Sequence, residues 1–418
     1  MVVLGVSPAV ELNPAAARTA RSLNGVCLSS GRCKCDVPWT AAANCSLLDF
    51  QPVPSCFPGG GCGLQDGSNS TWGGSVWGNA SSGFWMAAAR FTNGCPLSSW
   101  QSNSEVIVAH APEAQGPYVP RAVVTHPWAH NPAAVVAPEP GTGEPVIVVF
   151  TLGNGRPNGP QKDCRSPDSG GPAPASAPGG TSRAPIGAGG AAPGRGIAGG
   201  DAGSLGKYDP ASLNFTLWWS RSPLGPWAAH ETYFSDALPD GSLANWNPSP
   251  RVLPDGSVRV MVHTDASPWG GEVFAEAPSW RGPYRFVTGD FMPAAKTEED
   301  PFAWVDARGH HHVLLHRMFD PPGAGPIPSP GWAGGHSFSR DGLVWSPVAR
   351  AYNTSVLLQG GGTMELARRE RPKLIFAADG VTPTHLTNGV LPTGPDARSW
   401  TLVTPLASAG PGARQPTA

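Results

Sequence analysis

The sequence predicts an all-β chain folded as a five-bladed β-propeller, and three observations lead there. A short motif recurs five times, an aromatic or polar residue followed by a small residue or proline. The copies are Trp72-Gly73-Gly74-Ser75, His130-Asn131-Pro132, Trp246-Asn247-Pro248, Glu299-Asp300-Pro301 and Glu370-Arg371-Pro372. Most are followed by two apolar runs separated by a turn rich in Gly, Pro and Asp, which is the signal of a β-hairpin. A second motif recurs behind the hairpins, ending in Gly-Pro and an aromatic residue. Such an array points to repeated sheets around an axis, with each first motif opening an innermost strand.

The hairpins read in order along the chain. Ala133–Ala137 leads through Pro138–Pro145 into Val146–Phe150, and Arg251–Leu253 leads through Pro254-Asp255-Gly256 into Val258–His263. Phe302–Val305 leads through Asp306–Gly309 into His311–His316. The closing motif runs from Ala109-His110-Ala111-Pro112 to Gly116-Pro117-Tyr118, and from Ser220–Pro223 to Gly225-Pro226-Trp227. It recurs from Ala275–Pro278 to Gly282-Pro283-Tyr284, and more loosely from Ser337–Arg340 to Gly342 and Trp345. Each is expected to make a tight turn into the outer strand of its blade. Repeats of this kind argue fold, and fold alone does not give function.

At 418 residues the chain accommodates one large repeat domain and a small appendage. Charged residues are 14% of the total and the net charge is -2, which gives no electrostatic case for nucleic acid or an anionic membrane. No stretch approaches the length of a membrane span. Sixteen Trp fit either sugar-stacking surfaces or the packed aromatic layers of a propeller.

All eight Cys precede residue 165, and sequons begin at Asn44, Asn69, Asn79, Asn214 and Asn353. Together they favour an oxidising, extracellular or secretory compartment and a glycoprotein. Met1–Val10 is apolar but lacks a basic start, so a truncated N-terminus is expected rather than a signal peptide. The expected organisation is a disordered segment over 1–22, a disulfide-rich segment over 23–46, the propeller over 66–407 and a disordered tail over 408–418. Residues 165–206 are Gly, Ala, Pro and Ser with almost no large apolar side chain, so they read as a disordered loop inserted into the second blade. The interval from Asn131 to Asn247 is more than twice that from Asn247 to Asp300, and removing the insertion brings the two closer.

Cys27, Cys33, Cys35 and Cys45, with Asn24-Gly25 before them and Trp39 inside, resemble the second half of an EGF-like module. The resemblance implies a Cys35–Cys45 disulfide and an extracellular protein partner for this segment. The first Cys pair of a full module is missing, and Ala41 stands where a Gly usually follows the Trp. The spacings and the lack of a neighbouring His cluster argue against zinc. Cys27 with Cys33 and Cys56 with Cys62 are close enough in sequence to pair, leaving Cys95 with Cys164.

The blade starts, the Gly-Pro-aromatic ends, Gly331-Trp332-Ala333-Gly334-Gly335-His336 and Pro383–Gly389 resemble the propeller glycosidases of glycoside hydrolase family 43 and its relatives. The likeness is to algal and protist secreted forms that carry an EGF-like segment. That resemblance implies an Asp general base on the first blade, a second Asp on the second and a Glu general acid on the third. The matching positions here hold Gly73–Ser75, Asn131 and Asn247. None is a carboxylate, and an asparagine cannot exchange a proton at neutral pH, so the family triad is not intact.

Carboxylates occur instead in the fourth and fifth blades. Asp300, Glu370 and Glu299 are the candidate catalytic residues. Three adjacent acids, Glu298-Glu299-Asp300, are expected to raise one another's pKa, whereas Glu370 between Arg369 and Arg371 is expected to stay ionised. Strand alternation predicts that Glu299 and Asp300 point to opposite faces. His130, Asn131, Trp246, Asn247, Arg371 and Trp72 are the candidate substrate-binding residues, with Arg371 the expected partner of Asp300. Glu272 and His336, each after Gly-Gly, are further candidates. His310, His311, His312 and His316 are divided between two faces by alternation and read as partly exposed strand residues. No metal ligand set and no required cofactor are predicted, although the family resemblance loosely suggests a calcium ion supported through water by His385. Two functions remain open: a glycoside hydrolase-like enzyme acting on plant or algal polysaccharide, and a non-catalytic carbohydrate-binding or adhesion protein.

Overall fold

The structure is a computed structural model that describes residues 22–27, 33–40, 45–54, 62–64, 66–67, 69–157, 159–165, 214–235, 246–264, 271–288, 298–317, 332–394 and 398–407. The expected disordered tail, nearly all of the expected N-terminal segment and most of the inserted loop fall outside these residues.

Four short strands come first: β1 (Gly25–Cys27), β2 (Cys33–Cys35), β3 (Trp39–Thr40) and β4 (Leu47–Leu48). They pair as two small hairpins, and Cys35 is bonded to Cys45 with an S–S distance of 2.04 Å. Five four-stranded antiparallel sheets follow. Blade 1 is β5 (Thr71–Asn79), β6 (Gly83–Phe91), β7 (Ser104–Ala111) and β8 (Val119–Thr125). Blade 2 is β9 (His130–Pro138), β10 (Pro145–Leu152), β11 (Asn214–Ser220) and β12 (Ala228–Tyr233). Blade 3 is β13 (Trp246–Val252), β14 (Val258–Thr264), β15 (Gly271–Ala277) and β16 (Arg285–Thr288). Blade 4 is β17 (Glu298–Val305), β18 (His311–Arg317), β19 (Trp332–Ser339) and β20 (Ala349–Asn353). Blade 5 is β21 (Ser355–Leu357), β22 (Thr363–Phe376), β23 (Pro383–Pro392) and β24 (Trp400–Pro405). Strands β5, β9, β13, β17 and β22 neighbour one another in that order and close a ring, β22 returning to β5. The chain is a five-bladed propeller.

Each repeated motif lies inside its inner strand rather than ahead of it, and forms a β-bulge. Gly73, Asn131, Asn247, Asp300 and Arg371 occupy the same place in the five blades, with φ of 62°, 58°, 53°, 58° and 57°. At each one the pairing with the second strand slips, for example between Trp246 and Ser249 and between Glu299 and Phe302. A left-handed bulge bends the strand and re-aims its side chains. Glycine adopts this conformation freely and Asn and Asp tolerate it, whereas an arginine there costs on the order of 1–2 kcal/mol. Arg371 is therefore held by its surroundings.

The Gly-Pro-aromatic motifs join third strands to outer strands, as expected. Tyr118 and Tyr284 donate their hydroxyls to Ala114 O and Trp280 O, each at 2.8 Å, so a buried ring ties its own turn. The expected insertion falls between β10 and β11 in the sequence, and Cys164, just ahead of it, is bonded to Cys95 of blade 1. Cys33 and Cys62 are also disulfide-bonded.

Apolar side chains fill the wedges between blades. Val148, Phe150, Leu217, Val260 and Tyr284 pack between blades 2 and 3, and Met86, Ile107, Tyr118 and Ile375 between blades 5 and 1. The N-terminal hairpins are part of this core. Trp39, Cys45 and Leu48 share a cluster with Trp304, Leu314, Tyr352 and Leu386 of blades 4 and 5. Beyond them Phe50 bridges Leu406, Val53 bridges Leu358, and Leu64 bridges both Thr401 and Tyr118. This stretch thus joins the edge of the last blade to the first and seals the ring.

Candidate active site

The five bulges bring one residue from each blade toward the axis. Asn131 Nδ2 donates to Asn247 Oδ1, and Arg371 Nη1 donates to Asp300 Oδ1. Gly73 completes the ring against Arg371, where an added Cβ would stand 3.3 Å from the arginine Cβ. Asp300 and Arg371 are thus partners, as the sequence suggested.

Beside this ring lies a cluster contributed by blades 4 and 5. Donor atoms of Glu299, Asp300, His316 and Glu370 all lie within 4.8 Å of one another. His316 faces Glu299 across the β17–β18 pair. Its Nδ1 is 3.4 Å from Glu299 Oε1 and 3.6 Å from Asp300 Oδ2, and its Nε2 is 3.8 Å from Glu370 Oε1. Arg368 Nε stands 2.8 Å from the same Glu370 oxygen. Two of the three carboxylates are thus taken by guanidinium groups, which makes an ion-pair network rather than a cation cage. Asp300 Oδ2, buried, has no hydrogen-bond partner among the described residues.

Burial and charge split the protonation of these groups. Burial is the largest influence on Asp300 and lifts its carboxyl to about 7, with Glu299 and Glu370 adding to the rise and Arg371 opposing it. Burial would raise Glu299 as well, but His316 and Arg371 outweigh it and hold the carboxyl at about 2. His316 is raised: burial alone would lower it, and the negative charges of Glu370, Glu299 and Asp300 prevail. Burial and Arg371 bring Lys373 down to about 8 against the attraction of Asp300. Near neutral pH the site therefore holds an ionised Glu299 beside an Asp300 that exchanges its proton.

Several expectations are corrected here. Glu299 is lowered rather than raised, because Glu298 is drawn away to Arg317 Nη1 at 3.0 Å while Glu299 meets His316. Glu299 and Asp300 both reach His316, since the bulge suspends the alternation that would part them. His316 belongs to the site; its mid-hairpin position disguised it, and its pairing with the residue ahead of the bulge is the signal that identifies it. His310 keeps the expected partial exposure, near Asp306. His312 is buried with its Nδ1 3.0 Å from His336 Nε2, and His336 packs under Trp39, away from the axis. Trp72 is 1% exposed and packs with Ala89, Phe91 and Leu97, so it is core and no sugar platform. Arg369 is also structural: it lies over Phe50 and Tyr352 and donates to Asn388, Asn353 O and Ser355 O.

The remaining candidates stand as follows. His130 is buried beside Trp100, its Nδ1 2.7 Å from Ser104 Oγ, and burial together with Arg371 and Lys373 pushes its pKa down. Asn131 and Asn247 engage each other. The side chain of Trp246 lies outside the described residues. Glu272, fully buried, stands 3.0 Å from His263 Nδ1, and burial raises its pKa despite that histidine. His385 lies beside Thr384 Oγ1, lowered to about 4 by burial, and is not part of the axial cluster.

No family model matches the sequence, and no curated protein matches it. Among solved structures the chain is similar to Zg3597, a family 117 glycoside hydrolase of the marine bacterium Zobellia galactanivorans. The identity is 12% and the TM-score 0.46, over 86% of this chain and 90% of that one. It is also similar to a thermostable family-43 glycoside hydrolase, at 10% identity and TM-score 0.43 over 87% and 94% of the two chains. An α-L-arabinofuranosidase from Lactobacillus brevis matches at 11% identity and TM-score 0.42 over 81% and 90%. Likeness at this level carries no residue role over to this chain.

Proposed function

We propose that the chain is a glycoside hydrolase-like propeller whose axial site acts on carbohydrate with carboxylates from blades 4 and 5. The observation that carries this reading is the convergence of Glu299, Asp300, His316 and Glu370 at the axis. Glycoside cleavage asks for one protonated and one ionised carboxyl flanking the bond. Asp300, poised near neutral pH, is the proton donor in this reading, and Glu370, on the facing strand, is the anionic partner. Glu299 stays ionised and favours the protonated form of His316 beside them.

A second reading is a non-catalytic carbohydrate-binding protein. It is favoured by the bulge residues of blades 1 to 3, where Gly73, Asn131 and Asn247 supply no acid, and by the two arginine-held carboxylates. Either protein works outside the cell, given its disulfides; among the described residues no helix is long and apolar enough to cross a membrane. The docked N-terminal hairpins leave part of their surface for an extracellular partner.

The test is a panel of arabino-, xylo- and galacto-oligosaccharides, with cleavage and binding read in parallel on wild type, Asp300→Asn and Glu370→Gln. The enzyme reading expects cleavage by wild type, and binding without cleavage by both variants. Binding with no cleavage by wild type establishes the second reading. No binding by any of the three proteins removes both.

A further inference from the structure

Charge that the axial site does not use collects on the opposite face of the propeller. Each inner strand runs from its bulge to a hairpin turn at the far end, and β13 carries Arg251 near that turn. Arg251 stands directly opposite Arg259 across the β13–β14 pair, so both side chains leave the same face of the sheet. Like charges in that relation repel. Both line a shallow, open crevice between blades 3 and 4. Its other walls include Phe274, Trp304, His311 and Trp345.

The two guanidinium groups are not equally occupied. Arg259 Nε donates to Glu276 Oε1 at 2.6 Å, and its guanidinium carbon lies 5.4 Å from the centre of the Phe274 ring. The Arg251 side chain makes no hydrogen bond and no ion pair among the described residues; it is half-buried, and the charge acting on it is the repulsion of Arg259. The acid whose charge acts on His311 is Asp341, already bound by the backbone N–H groups of Leu343 and Val344 and by the Ser339 hydroxyl. Burial and the two arginines push the pKa of His311 down, so at neutral pH it adds an N–H donor and no further positive charge. The result is a half-buried guanidinium with its donors unused, backed by a second one and an imidazole.

We propose that this crevice binds a tetrahedral oxyanion, a sulfate or phosphate group, either free or as an ester on a sugar ring. The planar fork of Arg251 matches two oxygens of such a group, and Arg259, which also pairs with Glu276, adds positive potential behind it. His311 offers a third donor. Trp304 and Trp345, both largely buried, form apolar walls beside it. The bound anion relieves the Arg251–Arg259 repulsion, so binding and fold stability are coupled. The proposal is independent of the chemistry at the axis, since no residue of the axial cluster lines the crevice.

The test is isothermal titration of the full chain with sodium sulfate and with sodium phosphate, in chloride buffer of constant ionic strength. Arg251→Gln and Arg251→Lys are compared with wild type. The Arg251 side chain is half-buried and holds no partner, so both variants are expected to fold; their melting curves in chloride check this. Expected are saturable one-site binding by wild type, at least a tenfold loss in Arg251→Gln, and a partial loss in Arg251→Lys, which keeps the charge without the fork. A sulfated oligosaccharide that binds more tightly than inorganic sulfate and than its desulfated form identifies the ester as the ligand; equal affinity for the ester and inorganic sulfate identifies the free ion. The proposal is overturned by the absence of saturable binding to wild type, or by Arg251→Gln binding as tightly as wild type.

Discussion

Replacing Asp300 with asparagine probes the axial cluster through stability as well as turnover. Burial lifts the Asp300 carboxyl from its ordinary 3.8 to about 7, with Arg371 opposing and Glu299 and Glu370 adding to the rise. The folded chain therefore holds a proton that the unfolded chain releases at lower pH. This stability is fully present below about pH 4 and lost as pH rises through about 7. At 1.36 kcal/mol per pKa unit, the ionised carboxylate costs the folded state roughly 4 kcal/mol above pH 7. Asparagine is neutral and nearly isosteric, tolerates the left-handed φ as Asn131 and Asn247 do, and still offers Arg371 a carbonyl acceptor. Because Arg371 loses a charged partner, the net gain at pH 8 is smaller, on the order of 1–4 kcal/mol. In a chain of this size that corresponds to a rise in Tm of about 1–5 °C. Urea and thermal melts of wild type and variant at pH 4, 6 and 8 make the measurement. The expected pattern is a variant that matches wild type at pH 4 and exceeds it at pH 8, while cleaving no oligosaccharide. A variant less stable than wild type by one margin at every pH would mean that Arg371 holds Asp300 ionised throughout, and would refute the reasoning.

Three further outcomes follow from the same geometry. Asn131→Ala should cost about 2–3 kcal/mol in urea melts, the left-handed strain added to the lost amide bond, and Asn131→Gly only about 1 kcal/mol; equal losses in the two would show that the bulge backbone is not the issue. Gly334→Ala would place a Cβ 1.8 Å from Tyr352 Cε1, so thermal melts should show a loss of at least about 1–3 kcal/mol, and an unchanged Tm contradicts the packing. His312 and His336 are both held neutral, burial pushing each below its ordinary 6.5, so they contribute stability that is present above that value and lost as pH falls beneath it. Urea midpoints of His336→Gln should fall less steeply than those of wild type between pH 6.5 and 4.5; parallel decline rules that contribution out.

Much of the fold was legible because propeller blades are local objects. A hairpin and its turn are written in adjacent residues, so the Asn-Pro, Asp-Pro and Gly-Pro-aromatic repeats marked the strands and the count of blades. The Cys35–Cys45 pair was likewise readable from a short spacing, through its resemblance to a known module. The conformational meaning of the repeats was half-visible: Gly, Asn and Asp at the second position of four motifs are the residues that accept a left-handed backbone, and Arg371 concealed the fifth.

What the ring decides could not be read along the chain. Asp300 and Arg371 are 71 positions apart, and Asn131 and Asn247 are 116 apart; closure of the propeller makes each pair neighbours. The bulge turned Glu299 and Asp300 to one side, where period-two alternation parts them, and so assembled the cluster around His316. Burial, which is a property of packing rather than of residue type, made Trp72 a core residue and lifted Asp300 toward neutrality while neighbouring charge held Glu299 down. The sequence by itself determined which segments become strands and which residues can occupy a bulge. Only the tertiary structure decided which side chains share the axis and which carry a proton there, because both depend on distance and desolvation across blades that meet when the ring closes.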